Sequence, residues 1–273
     1  MRAAVVAVCA VVLVIPQSLS AESVAPYVQT VEEDVELILD LAGVGPDDHV
    51  IDLGSGDGRF VIGAARRGAT AQGVELQSEL VALSRQRAQA AGVGRRAAFV
   101  EGDIFAADVA DASVVVIYLF PEANLRLRPK LLAEMRPGAR LVSNSFHMGD
   151  WRPDRRAQGR TSGGALLWVI PAAVGGDWRL SLGAQTFDLS LRQRYQTVEP
   201  AKQRGGDAMA LSEVRLSGRR ISFVGTAGER TFRFTGLVDG ERMTGTAQLD
   251  DEARTPPSAW RARLIAVASP ARG

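Results

Sequence analysis

The sequence predicts an α/β protein: a doubly wound, mostly parallel sheet followed by a small antiparallel β domain, a barrel or a sandwich. Three observations predict it. Apolar, strand-like runs alternate with helical patterns from about residue 30 to residue 146, the rhythm of a sheet with helices on both faces. A glycine-rich turn, Asp52-x-Gly54-x-Gly56-x-Gly58, lies between the first such run and the helix after it. Beyond about residue 162 the rhythm gives way to short alternating runs separated by turn residues, the pattern of an antiparallel domain.

Each element has its own signal. Residues 30–42 read as a helix, with Thr30 as its cap and Glu33 completing a capping box. Val31, Val35, Ile38 and Ala42 then share one face, and Gly43-Val-Gly-Pro46 ends it. The first strand covers residues 50–53. A helix near 58–67 and a strand near 71–75 follow. The helix at 77–91 turns Leu80, Leu83 and Ala88 inward and stops at Gly92. The third strand is about 97–102. The fourth, 113–120, is almost continuously apolar, as a strand buried on both faces should be. Pro121 opens a helix that ends before Pro137-Gly138, and the fifth strand is 140–146. Residues 166–170 are either a sixth strand of this sheet or the start of the next domain.

The second domain, read over 175–268, contains Phe187-x-Leu189-x-Leu191, Ile221-x-Phe223, Phe232-x-Phe234 and Met243-x-x-x-x-Gln248. Leu216-Ser-Gly-Arg-Arg-Ile221 resembles Val238-Asp-Gly-Glu-Arg-Met243. Each sets a glycine turn between apolar runs, a hairpin signal. Trp178 and Trp260 are assigned to its core. The division is residues 1–20, 22–165 and 166–270.

Composition narrows the function. The chain has 273 residues, 46% hydrophobic and 23% charged, enough for two cores. Net charge is +1, with no basic stretch interleaved with aromatics, so nucleic acid is not an expected partner. Residues 22–161 hold 16 Lys+Arg against 20 Asp+Glu, or −4, and residues 162–273 hold 15 against 11, or +4. The first twenty residues read as a secretory signal peptide: Arg2, an apolar run from Ala3 to Ile15, Pro16, then Ser18-Leu-Ser20 before Ala21. Thirteen apolar residues are short for a membrane span. The expectation is an exported chain, periplasmic or secreted, without a transmembrane span once mature; the alternative is an uncleaved N-terminal anchor. Cys9, the single cysteine, lies in this run, so the mature chain has no disulfide and no thiol ligand. No metal site is expected.

The turn carries the chemistry. Glycines between a strand and a helix let a ligand approach the backbone. Glu75 closes the second strand and Asp103 follows the third. Three carboxylates thus stand at or near successive carboxyl ends, the edge where open α/β sheets bind ligands. Such a ring of negative charge repels a pyrophosphate and suits a cationic nucleoside. The dinucleotide pattern G-x-G-x-x-G fails on spacing, since its third position is Arg59 or Val61, and no G-K-[ST] follows for a P-loop.

The ordered set, Asp52-x-Gly-x-Gly-x-Gly58, the acid at Glu75 and Gly102-Asp103, resembles the class I S-adenosylmethionine (SAM) methyltransferases over roughly residues 25–160. Pro26-Tyr27-Val28-x-Thr30, Tyr118-Leu-Phe-Pro121, Leu127-Arg-Pro-Lys-Leu131 and Pro137-Gly-Ala-Arg-Leu-Val-Ser143 narrow it to the group of mitochondrial lysine methyltransferases acting on ATP synthase and on the adenine nucleotide translocase. The resemblance implies a Rossmann-like methyltransferase sheet, SAM as methyl donor and a protein lysine as acceptor, here a protein of the envelope. It implies that Gly54, Ser55, Gly56 and Gly58 meet the methionine and ribose portions, and that Asp52 orients the methionine end. It assigns the ribose hydroxyls to Glu75, the adenine to Asp103 and the Ile104 amide, and a closing contact to Tyr27. Tyr118 is expected to line the methyl channel, and the carbonyls of Leu119 and Phe120 to orient the amine. The Asn/Asp-Pro-Pro-Tyr/Phe motif of many amino-group methyltransferases is missing at 118–121, which leaves the nucleophile open. Asn144, His147 and Trp151 end or follow the fifth strand on the same edge, with His147 a candidate base. The second reading is a secreted binding protein that uses its β domain and carries an idle SAM-binding fold.

Overall fold

The computed structural model of the chain describes residues 29–159, 163–201, 209–250 and 256–267. The expected signal peptide, Cys9 and Tyr27 lie outside the described residues. In chain order the first part contains α1 (Glu32–Ala42), β1 (His49–Leu53), α2 (Arg59–Arg66), β2 (Thr70–Glu75), α3 (Ser78–Ala90), β3 (Ala97–Glu101), β4 (Val114–Ile117), α4 (Pro121–Glu134), β5 (Arg140–Asn144), β6 (Arg155–Ala157) and β7 (Ala165–Val169).

These strands form one sheet in the order β3-β2-β1-β4-β5-β7-β6. β1 to β5 run parallel, while β7 is antiparallel to β5 and to β6. The strand left open by the sequence therefore joins the first sheet, which continues past residue 165. Val50, Val116 and Val142 pack on one face with Val35 and Ile38 of α1 and Val61 of α2. Ile51, Val115 and Leu141 pack on the other with Leu127 and Leu131 of α4. This two-sided burial explains the unbroken apolar runs.

Three local readings are corrected. The capping box does not form: Val31 precedes α1 with no side-chain cap, and acidic residues in the first turn face the positive helix end instead. The Thr30 carbonyl accepts a hydrogen bond from the Arg59 guanidinium. In α3 the buried face is Val81, Ser84 and Ala88, whereas Leu80 and Leu83 are half-buried. The reason is polar: Ser84 Oγ donates to the Gly56 carbonyl at 3.0 Å, and apolar spacing does not reveal that bond. β5 stops at Asn144 because Ser145 adopts φ +67°.

The second part contains β8 (Gly176–Leu182), β9 (Gln185–Arg194), β10 (Thr197–Pro200), β11 (Ala210–Ser217), β12 (Arg220–Ala227), β13 (Arg230–Asp239), β14 (Arg242–Leu249) and β15 (Ser258–Val267). They form an antiparallel sheet in the order β10-β9-β8-β15-β14-β13-β12-β11, whose end strands lie against each other in a nearly closed barrel. The internal repeat is two equivalent hairpins. Leu216 pairs with Ile221 and Val238 with Met243, and Gly218 and Gly240 both take φ +56° in the turns. Inside, Phe223 and Phe234 stack at 4.6 Å, with the Trp260 ring edge-on to each at 5.7 Å. Trp178 and Trp260 are both buried core residues, as expected.

The β9–β10 hairpin joins the two parts. Tyr195 at its tip has φ +55°, a left-handed conformation that glycine adopts more cheaply. The strain places its ring in a stack on Trp151 at 5.6 Å and its hydroxyl 3.0 Å from Asp150, to which it donates. Gln196 Oε1 accepts from Trp151 Nε1 at 2.7 Å, and Gln196 Nε2 donates to the Arg152 carbonyl at 2.7 Å. Arg128 of α4 and Arg194 both pair with Asp150.

Candidate functional site

The site lies at the carboxyl ends of β1, β2, β4 and β5. Register keeps these ends level: Leu53 pairs with Val74 and with Ile117, and Ile117 with Ser143. After β1 the chain turns through Gly54, Gly56 and Gly58, with φ of +88°, +53° and +82°. A Cβ on Gly58 would sit 2.7 Å from the Phe99 ring and 2.9 Å from Ser84 Cβ, so this glycine is required for packing as well as for its dihedral. The turn is fastened to β2, since the amides of Gly54 and Ser55 donate to the Val74 carbonyl at 2.9 and 3.1 Å.

Glu75 completes the floor. Its Oε2 accepts from the Gly56 amide at 2.9 Å and its Oε1 from the Gln77 amide at 3.0 Å. Each oxygen keeps a lone pair for a further donor. The Gly102 amide donates to the Glu75 carbonyl at 2.9 Å, which brings the segment after β3 alongside. There Ile104 is buried and Asp103 exposed, with Asp103 Oδ1 accepting from the Phe105 amide at 2.9 Å.

Asp52 is 2% exposed, and its Oδ2 has no hydrogen-bond partner. Burial, then repulsion from Glu75 and Asp57, pushes its carboxyl up to about 8. Ser55 Oγ is likewise buried and unpartnered. Asp57 was not singled out in the sequence. It is 1% exposed and ion-paired to Arg59 at 2.6 Å and to Arg87 of α3, so it fixes the turn rather than facing a ligand. The alternation of Gly and Asp at 56–58 carried no sign of that pairing, because Arg87 lies thirty residues on.

At the end of β4, Tyr118 is half-buried and stacks on Phe146 at 6.2 Å, and Phe120 meets the same ring edge-on at 5.9 Å. The sequence did not identify Phe146 as a site residue, since it read as the last residue of a strand. The Phe120 carbonyl accepts from the Asn124 amide at 3.1 Å and keeps one lone pair. Trp151 is fully buried against the β9–β10 hairpin and does not line the edge. His147 is exposed, and its carbonyl accepts from Asn124 Nδ2 at 3.5 Å. Asn124 Oδ1 and Asn144 Nδ2 are buried without partners. The structure thus gathers Asp52 of β1, the turn of Gly54, Ser55, Gly56 and Gly58, and Glu75 at the end of β2 at one sheet edge, with Asp103 and Ile104 on its β3 side and Tyr118 on its β4 side.

These residues fit SAM. Orphaned buried oxygens of Asp52 and Ser55 beside the Glu75 carboxylate suit a cationic nucleoside better than a pyrophosphate. Comparison with known proteins agrees. The ANTKMT methyltransferase domain model matches residues 52–155. A protein-lysine N-methyltransferase of Saccharolobus islandicus (strain REY15A) is 41% identical over 130 residues, 47% of this chain and 81% of that protein. An adenine nucleotide translocase lysine N-methyltransferase of Mus musculus is 37% identical over 129 residues, 47% of this chain and 56% of that protein. The chain therefore spans little more than half the length of this mouse relative. The crystal structure of an RNA methyltransferase from Salinibacter ruber in complex with S-adenosyl-L-homocysteine is 42% identical, with a TM-score of 0.52, covering 54% of this chain and 96% of that one. The fold and the site define a class I SAM-dependent methyltransferase. This chain belongs to the SAM-dependent methyltransferase family, in the group with protein-lysine N-methyltransferases, and uses SAM as methyl donor.

Proposed function

We propose that the chain methylates the side-chain amine of a protein lysine. One observation carries this reading: 41% identity over 130 residues that cover 81% of a protein-lysine N-methyltransferase. The geometry supports it, because the ring cluster of Tyr118, Phe120 and Phe146 follows the carboxyl end of β4, the strand beside β1, and aromatic faces attract an ammonium group.

In this reading Glu75 takes the ribose hydroxyls on the lone pairs left by Gly56 and Gln77, and Asp103 and the Ile104 amide take the adenine. Asp52 and Ser55 hold the methionine end, Gly56 leaves it room, Gly54 and Gly58 let the turn pack beneath it against Leu119, Phe99 and Ser84, and Tyr27 closes over it. SAM, when bound, supplies an electrophilic methyl group on a sulfonium centre. The chain's own work is to position the amine, exclude water and let its ammonium lose a proton, for which exposed His147 and solvent are the available bases.

We further propose export or N-terminal anchoring through residues 1–20, with the acceptor an envelope protein; export also requires SAM outside the cytosol. N-terminal sequencing tests this: a mature start near Ala21 supports cleavage, and a soluble cytosolic chain starting at Met1 overturns both forms. An RNA acceptor is the second reading, favoured by the Salinibacter ruber relative. Cells producing the wild type or Glu75→Ala distinguish the two. Methyl-lysine on at least one protein in the wild type alone supports the proposal. New methylation confined to RNA overturns it.

A further inference from the structure

The outer wall of the barrel carries an arrangement its own folding does not call for. Register places Arg242 of β14 directly opposite Arg263 of β15, and Arg263 directly opposite Arg179 of β8. Three arginines thus stand side by side on adjacent strands, about 5 Å apart. Like charges directly opposite each other destabilise a sheet. An acid stands at each end of the row: Asp188 pairs with Arg179 at 2.9 Å, and Asp239 of β13 lies opposite Arg242 but forms its ion pair with Arg219 at 3.1 Å, so among the described residues Arg242 and Arg263 form no ion pair.

One step along the same wall, Arg220 pairs with Leu237, Leu237 with Thr244, and Thr244 with Arg261. Among the described residues, Arg220, Arg242, Arg261 and Arg263 are exposed and pair with no carboxylate. Leu237 of β13 is 49% exposed on this wall. The barrel interior is filled by Trp178, Phe223, Phe234 and Trp260, so any ligand of this domain meets the outside.

We propose that the wall formed by β13, β14, β15 and β8 docks on an anionic phospholipid bilayer. Unpaired guanidinium groups match lipid phosphates, and the exposed Leu237 side chain matches the boundary between headgroups and acyl chains. Single-stranded nucleic acid fits less well. Its bases need exposed aromatic platforms, and the aromatic rings of Phe223, Phe232, Phe234 and Trp260 are all buried. The charge split, −4 over residues 22–161 and +4 over residues 162–273, turns the barrel rather than the methyltransferase sheet toward a negative surface. This proposal does not depend on lysine as the acceptor.

The test uses the full chain with phosphatidylcholine vesicles, with and without phosphatidylglycerol. The wild type should prefer the anionic vesicles, and salt should weaken that preference. Reversing Arg242, Arg261 and Arg263 to Glu should weaken binding to anionic vesicles on the order of a hundredfold. SAM affinity should stay unchanged, which reports an intact methyltransferase sheet. The N-terminal segment is common to both chains and cancels. If the triple variant does not fold, Arg263→Thr should still weaken binding about fivefold, and it should raise the melting temperature by relieving the row. Equal binding of anionic and neutral vesicles by the wild type, or no loss in the variants, overturns the proposal. So does arginine-dependent binding that is tighter to an RNA oligonucleotide than to vesicles.

Discussion

At Asp52 a single carboxyl couples the site to pH. Burial, followed by repulsion from Glu75 and Asp57, raises it from 3.8 to about 8. The ligand-free fold therefore holds it protonated at neutral pH, where the unfolded chain holds it ionised. That contribution to stability is fully present below 3.8 and is lost as pH rises through about 8. The melting temperature of the ligand-free protein should fall across this window, and Asp52→Asn should flatten the decline. Identical slopes would show that Asp52 is ionised throughout. Glu75 is the other informative position, because it already accepts two backbone amides. Glu75→Ala should weaken SAM binding by roughly 1.5–3 kcal/mol, the range for hydrogen bonds to a charged group, and Glu75→Gln by less. An unchanged dissociation constant in both variants, read by calorimetry, excludes it as the ribose acceptor. Asp52 and Glu75 were legible in the sequence because each occupies the end of an apolar strand. Asp57 and Phe146 were not, because their partners, Arg87 and Tyr118, come from distant segments.

Among the elements, the β9–β10 hairpin shows how the barrel reaches the segment after β5. Gln196→Ala would leave the indole N–H of buried Trp151 without its 2.7 Å partner. It should cost about 1–2 kcal/mol, as expected for an orphaned donor near the surface. Denaturant unfolding measures it, and an unchanged midpoint would mean that water replaces the amide. The alternating strands and both repeat hairpins could be read from sequence, since period-two apolarity and a glycine turn are local signals. The inward face of α3 could not, because a hydrogen bond from Ser84 to Gly56 sets its rotation. β6 was missed for a similar reason: three residues at the sheet edge, Arg155–Ala157, bury too little to leave a pattern.

For the molecule as a whole, the carboxylates and glycines sit within the first sheet, but that sheet does not end at residue 165. β7 contributes Leu167 to one core and Leu166 and Trp168 to the other. A chain cut after 165 should therefore fail to fold and bind SAM, whereas one cut near 174 should retain SAM binding at reduced stability. Equal binding by both fragments would show that β7 is dispensable. The fold class was legible because a parallel sheet writes its burial into continuous apolar runs. The contact between the two parts was not, since it is made by Arg194, Tyr195 and Gln196 with partners more than forty residues away, and the left-handed backbone of Tyr195 has no sequence signature. The account stands most directly on SAM occupying the turn between β1 and α2. Calorimetric titration of the full chain against its Gly56→Arg variant tests it, as φ +53° admits a side chain there for about 1–2 kcal/mol of strain. The wild type should bind SAM, and the folded variant, with an arginine in the ligand's path, should not. Equal binding by the two would contradict the assignment of this site.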